Sequence, residues 1–388
     1  MRVRLLLFAF LIACMGGRNG AGPRIGAAVP IVPSSGLPPE VAVGAANNNL
    51  DVVRYGDRVF LAFRTAPHHF ASADAALYVV SSTDEKSWTL EHKIALGTDV
   101  REPRFLVLGG RLLLYFAELG SNPLSFEPRG IRMVERRGPG AWSDPVRVYE
   151  DDFIAWRTKV VDGRAYMVGY KGGQNLYNGS RAGMEIHWLT TDDGSRFRPV
   201  VPGKPVVETG GGSETDFVFV DGGAVLAVTR DEAGDAAGWG SKICRAEAGA
   251  LADWRCVVDP KKYDSPLLFR RGADVYLIAR RNLTASGDFD LHLRDMPAEH
   301  QTGAYLMAYS TAPKRCSLWK VDPATLTVGF VADLPSKGDT CFPGILDGPS
   351  PDQVIVYNYS SDLAVPGDDK WIAAQLRPTR IYRTEITF

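Results

Sequence analysis

One pattern recurs along the chain and restricts what it can fold into. An opening of polar or charged residues leads into an apolar run, a turn, and a second apolar run that ends on a polar or charged side chain. The fullest copy is SETDFVFVDGGAVLAVTR, from Ser213 to Arg230. Phe217, Phe219, Val225 and Val228 favour strands and Asp221-Gly222-Gly223 supplies the turn, so the copy reads as a β-hairpin. Further copies begin at Asp51, Arg101, Asp151, Tyr263 and Cys341, so the six starts are 50, 50, 62, 50 and 78 residues apart. Each unit holds about four short strands and cannot bury both faces alone, so its neighbours must stack on it. Radial closure also removes exposed sheet edges. The expectation is an all-β fold, a six-bladed β-propeller over residues 45–388.

Composition suits this fold. Forty glycines and 25 prolines in 388 residues fit many short strands and turns better than helices. A formal net charge of -1 and the lack of a long basic run argue against a protein that grips a nucleic acid backbone. Selectivity must then come from a local site. Gly210-Gly211-Gly212 lacks the following Lys and Ser or Thr of a phosphate-binding loop, and no cofactor is implied.

The later strands of each unit are read as follows. Ala76 to Ser81 and Leu90 to Ile94 complete the first unit, and Ile131 to Glu135 with Val146 to Tyr149 the second. In the fifth unit an insertion from Asn282 to Thr302 precedes AYLMAYS, read as the third strand. Trp371 to Leu376 reads as a helical turn in the last unit, and Val29 to Val32 is positioned to lend that unit a strand.

The first residues read as a targeting segment. Arg2 and Arg4 precede the apolar run Leu5 to Ala13, too short for an ordinary membrane span. Leu11-Ile12-Ala13-Cys14 resembles the lipobox of bacterial lipoproteins, which implies cleavage after residue 13 and a lipid on Cys14. Residues 14–44, rich in Gly, Ala and Pro, then read as a tether, and the domain would sit in the cell envelope. Four other cysteines remain. Their spacings of 12, 60 and 25 lack a close pair for zinc and favour two disulfides, Cys244 with Cys256 and Cys316 with Cys341.

If the units close radially, the starts of first strands and the ends of second strands converge on the axis. That set includes Arg64, Arg101, Glu102, Arg157, Glu214, Asp216, Arg230, Tyr263, Asp264 and Arg280. Repeated Arg, Asp, Glu and Tyr at strand ends point to an anionic sugar or polyol. Adjacent His68 and His69 point apart on an extended strand, so no metal site is expected from them.

Ser82-Thr83-Asp84-Glu85-Lys86-Ser87-Trp88 and Thr190-Thr191-Asp192-Asp193-Gly194-Ser195-Arg196-Phe197 resemble the Asp-box turn, S-x-D-x-G-x-x-W, of sialidases and related propellers. Such turns are structural, the Asp accepting backbone N–H bonds and the aromatic packing between strands. Glu214, Asp221-Gly222 and Arg230 are also similar to the sialidase sequence of a glutamate, an Asp-Gly hairpin and an arginine 16 positions on. The resemblance implies that Glu214 polarises a tyrosine nucleophile and that Arg230 belongs to an arginine triad holding a substrate carboxylate. Arg64, Arg101, Arg157 and Arg280 are the candidates for the first arginine of that triad, because Phe63-Arg64-Thr65-Ala66-Pro67 resembles the family's Phe-Arg-Ile-Pro only in letters and comes one strand later.

The sialidase acid would lie in the loop from Ala66 to Ala75, as Asp74, or a histidine, His68 or His69, would replace it. The sixth unit opens Thr340-Cys341-Phe342-Pro343 without a tyrosine, which leaves Tyr263, or Tyr359 beside Ser360, as candidate nucleophile. A second resemblance, to five-bladed furanosidase propellers, rests on Arg101-Glu102-Pro103 and would make Glu102 and Glu214 a working carboxylate pair. The expected activity is hydrolysis of a terminal, acidic sugar of an extracellular glycan; a propeller that only binds carbohydrate is the alternative.

Overall fold

The computed structural model describes residues 22–177 and 183–388. Residues 1–21, with the expected leader and Cys14, lie outside the described residues. Six antiparallel sheets follow one another, and they are the blades of a six-bladed propeller. Their innermost strands are Ala46–Tyr55, Asp99–Leu108, Ile154–Val161, Gly212–Phe219, Asp264–Arg271 and Gly344–Asp347. Six sheets exclude the five-bladed arrangement. Each inner strand turns back at Gly or Asp into a nearly buried second strand, such as Arg58–Ala66 or Val225–Asp231.

Apolar seams between blades explain why the modules had to stack. Phe60, Ala62 and Leu77 of blade I meet Phe105, Leu112 and Leu114 of blade II. Leu226, Val228 and Ile243 of blade IV meet Leu268, Leu277 and Trp319 of blade V in the same way. Alternating side chains of one strand thus serve two different seams.

The circle closes in blade VI, whose last strand Thr379–Thr387 is flanked by chain from the other end. Arg24–Ile25 and Val29–Val32 pair with it antiparallel. Residues that read as tether by composition therefore belong to the blade from position 24. Across the seam to blade I, the backbone N–H of Asn47 donates to Thr379 Oγ1 at 2.8 Å. Glu85 of blade I accepts from Tyr357 Oη at 2.7 Å and Arg383 Nε at 2.8 Å, both in blade VI.

Both Asp-box turns form. Asp84 accepts the backbone N–H of Lys86 and Ser87, each at 2.8 Å, and Trp88 is buried. In the second turn the accepting residue is Asp193, one position later than the aligned Asp192, with Ser195 and Arg196 donating at 2.8 Å. Thr191 and Asp193 thus match Ser82 and Asp84, while Asp192 faces solvent and pairs with Arg198. Glu85 adopts the left-handed conformation (φ 57°) that Gly194 (φ 76°) takes in the second turn.

One element differs from expectation. AYLMAYS is not a strand; it lies in α1 (Ala298–Thr311). Gln301, Thr302, Tyr305 and Tyr309 are its buried residues, a helical spacing that the β-rich composition masks. The third strand of blade V is instead Lys314–Asp322. A second short helix, α2 (Trp371–Ala374), lies between the last two strands and packs on α1 through Trp371 and Tyr309. Both expected disulfides are formed, Cys244–Cys256 and Cys316–Cys341.

Candidate active site

The site is built by a repeated defect. In blades I to V the pairing of the first and second strands slips near the start of the first strand. The residues left out of register include Asn49, Glu102, Trp156, Glu214 and Ser265. Asn49, Glu102 and Ser265 take the left-handed conformation, with φ of 41°, 54° and 53°. Such bulges re-aim side chains. Here they turn Asn49, Glu102, Glu214 and Ser265 into one cavity of about 380 Å³.

The floor of that cavity is charged. Arg101, Arg230 and Arg280 line it, from blades II, IV and V, together with Glu102, Glu214 and Glu232. Arg230 Nη1 donates to Glu214 Oε1 at 2.6 Å and its Nε to Glu232 at 2.9 Å, with Asp264 Oδ1 at 3.1 Å from Nε. The other oxygen of Glu214 accepts the N–H of Ser265 at 2.6 Å. Lys262 approaches Glu232 from behind at 2.6 Å. Burial acts to raise the Glu232 carboxyl, but Arg230 and Lys262 bring it below its ordinary value. Arg280 donates to the carbonyls of Thr340 and Cys341 and to the hydroxyls of Tyr309 and Tyr359. Arg101 is held by Asp99.

Glu102 differs from these neighbours. Its Oε1 accepts from Asn49 at 3.1 Å, while its buried Oε2 has no hydrogen-bond partner among the described residues. Burial, reinforced by the charge of Glu214 and only partly offset by Arg104, pushes its carboxyl up to about 7. A carboxyl that titrates near neutral pH thereby lines the cavity.

A second hydrogen-bonded group lies on the wall. His69 Nδ1 is 2.7 Å from Asp339 Oδ2, and Tyr359 Oη donates to Asp339 Oδ1 at 2.9 Å. Burial works to raise Asp339, yet His69 and Arg280 bring it below its usual range. Burial and the Asp339 charge push the Tyr359 hydroxyl well up, so it keeps its proton. The arrangement is a tyrosine hydroxyl donating to an ionised carboxylate beside an arginine.

The remaining sequence candidates lie elsewhere. Asp74 is exposed and does not line the cavity. Tyr263 is buried against Trp319, its hydroxyl on Asp259 at 2.9 Å, so it is a packing residue away from the cavity. Arg64 is fully buried, on Asp99 at 2.9 Å and on the carbonyls of His68 and Phe70, which fixes the loop that carries His69. His68 does not line the cavity. Arg157 donates to the Pro266 carbonyl, and Asp216 pairs with Lys159 at 2.7 Å; both brace inner strands beneath the floor. Asp264 is buried behind the floor between Arg230 and Arg280.

Sequence reasoning missed Asn49, Glu232, Tyr309, Asp339 and Trp371. Glu232 lies only two positions beyond Arg230 in the strongest module and was legible there. Tyr309 and Trp371 come from inserted helices, and no module periodicity reaches them.

No family profile and no curated protein matches the sequence. Solved structures do match in shape. The phage phi92 endosialidase superposes with a TM-score of 0.57 at 12% identity, covering 94% of this chain and 69% of that one. A Trypanosoma rangeli sialidase mutant displaying trans-sialidase activity gives 0.59 at 11%, covering 94% and 59%, and the T. rangeli sialidase itself 0.57 at 12%, covering 95% and 60%. The fold is a divergent sialidase-like propeller. This chain spans roughly three-fifths of the length of the trypanosomal proteins. The Glu214–Arg230 pair is in contact, but among the described residues Glu214 bonds to no tyrosine, and Phe342 lines the cavity at the opening of blade VI.

Proposed function

We propose that the chain is a glycoside hydrolase that releases a terminal acidic sugar from an extracellular glycan. The observation that carries this reading is Glu102, a carboxyl pushed up to about 7, set in a cavity whose floor bears three arginines. Arginine offers a planar fork to a sugar carboxylate. Arg230 and Arg280 would orient that group, with Arg101 opposite. Glu102 would pass its proton to the glycosidic oxygen as the C–O bond breaks. Tyr359 Oη would bond to the anomeric carbon and lose its proton to Asp339, the role that a tyrosine–carboxylate pair requires. Water would then release the sugar, with the Glu102 carboxylate as base and the Tyr359 oxygen as leaving group. Similarity in fold to sialidases supports the reaction class, not the sugar.

A binding propeller is the second reading, favoured by the aromatic wall of Phe70, Phe126, Phe342 and Trp371. The deciding experiment is a panel of chromogenic sialosides, glucuronides and arabinofuranosides, with Tyr359→Phe and Glu214→Gln as controls. Turnover of one donor, lost in Tyr359→Phe, supports the mechanism. Binding of a donor without turnover by a folded sample selects the second reading.

We further propose export. Two disulfides fit an oxidising compartment, and a lipid on Cys14 would tether the domain to a membrane. Mass spectrometry of the mature N-terminus tests this: loss of residues 1–13 and added acyl mass are expected, and an unmodified Cys14 would refute the anchor.

A further inference from the structure

The cavity is not of one character from floor to mouth. Five of its floor side chains, Arg101, Glu214, Arg230, Glu232 and Arg280, are buried. Its outer lining includes Leu124, Tyr177 and Ile372, which are 94%, 45% and 42% exposed. These three lie in the connections between second and third strands of blades II, III and VI. The same connections in blades V and VI carry exposed Met307 and Leu376. By contrast, the turns between first and second strands, at the other end of the blades, carry no large exposed apolar residue among the described residues. Exposed aliphatic side chains are ordinary when scattered; gathered around one mouth they mark a surface that contacts something apolar.

We propose that this rim is an aglycone subsite, and that the natural substrate is an acidic sugar linked to an alkyl or acyl chain, as in a glycolipid. The cavity opens only at its mouth, so the leaving group of a sugar seated on the arginine floor extends through it. The first surfaces that the leaving group meets there are Leu124, Ile372 and the Tyr177 ring. A polar oligosaccharide would leave those side chains in water, whereas an alkyl chain removes them from it, with gains that add per methylene. This inference rests on the reading of the floor as an acidic-sugar site.

The test is calorimetric titration of the full chain with paired methyl and octyl glycosides, below the micellar concentration. The sugars are N-acetylneuraminic acid and glucuronic acid, with octyl glucoside as the neutral control. For the acidic sugar that binds, the octyl glycoside is expected to bind at least about tenfold more tightly than the methyl glycoside. In the Leu124→Ser/Ile372→Ser double variant the ratio is expected to fall to about twofold, with methyl glycoside affinity unchanged. Equal affinity of the methyl and octyl forms, or a ratio that survives the double variant, overturns the aglycone subsite and leaves the glycosidase reading intact. Octyl glucoside binding as tightly as its acidic counterpart overturns it too, since the chain would then adhere without the sugar site. Failure of every acidic glycoside to bind removes the acidic-sugar reading, and this inference with it.

Discussion

Glu102 and Asp84 are both acidic side chains at a turning point of a blade, one at the axial cavity of blade II and one at the far turn of blade I. Their environments drive them in opposite directions. Glu102 is pushed up to about 7 by burial with one partner amide and a like charge nearby. Asp84 is held down to about 2 by backbone N–H donors from Ser87 and Lys86 and by the Ser82 hydroxyl. A carboxylate given donors becomes a strut; a carboxyl deprived of them becomes a proton reservoir. The propeller uses the first at its structural end and the second at the end where chemistry is proposed.

The largest effects are expected at the cavity end. Tyr359→Phe is expected to lower kcat on the order of 10³-fold while leaving the thermal midpoint within a few degrees, read by donor turnover and calorimetry on one sample. Unaltered turnover would remove Tyr359 from the chemistry. Glu102→Gln is expected to cost about 10²–10⁴-fold in kcat/KM on donors with poor leaving groups and far less on nitrophenyl donors, which need no proton. The alkaline limb of the pH profile, centred on about 7 in the parent, should vanish in this variant.

Stability should move with the same group. Because its carboxyl is raised in the folded state, Glu102 stabilises the fold fully below about 4.5, and that contribution is lost as pH rises through about 7. Glu102→Gln should flatten this slope in denaturant titrations at several pH values.

The disulfides extend the comparison at smaller cost. Cys244 and Cys256 join the outer strands of blade IV across 12 residues, so replacing both by serine should cost about 2–3 kcal/mol and leave kcat unchanged. Cys341 also presents its carbonyl to Arg280, so losing Cys316–Cys341 should lower both the thermal midpoint and kcat/KM. The smallest effect is expected at Asp84→Asn. The lowered carboxyl stabilises the fold above about 3.8 and loses that contribution as pH falls through about 2. The variant should therefore be slightly less stable than the parent at neutral pH and no different from it at pH 2, with unchanged activity, as followed by circular dichroism across that range.

The sequence by itself determined the propeller. Strand-forming runs, turns and near-regular spacing are local properties, and a strand–turn–strand unit leaves only stacking as a way to cover its faces. Local spacing was also enough for both disulfides, because Cys244 and Cys256 lie on neighbouring strands. At the site, Glu214, Arg230, Arg101, Glu102, Arg280 and His69 were legible as strand-end or loop residues that a closed circle brings together.

Only the tertiary structure decided which of the converging residues reach the cavity. Asp216 and Glu214 sit two positions apart, yet one braces Lys159 and the other faces the floor, because Glu214 lies in the bulge and Asp216 in the regular ladder beyond it. Sequence favoured Tyr263 and Asp74 over Tyr359 and Glu102. Hydrogen bonds to Asp339 and Asn49, brought in by chain distant in sequence, and for Glu102 a left-handed backbone, mark the two that line the cavity. Asp339 and His69 are 270 residues apart, and only closure of the circle brings them to 2.7 Å.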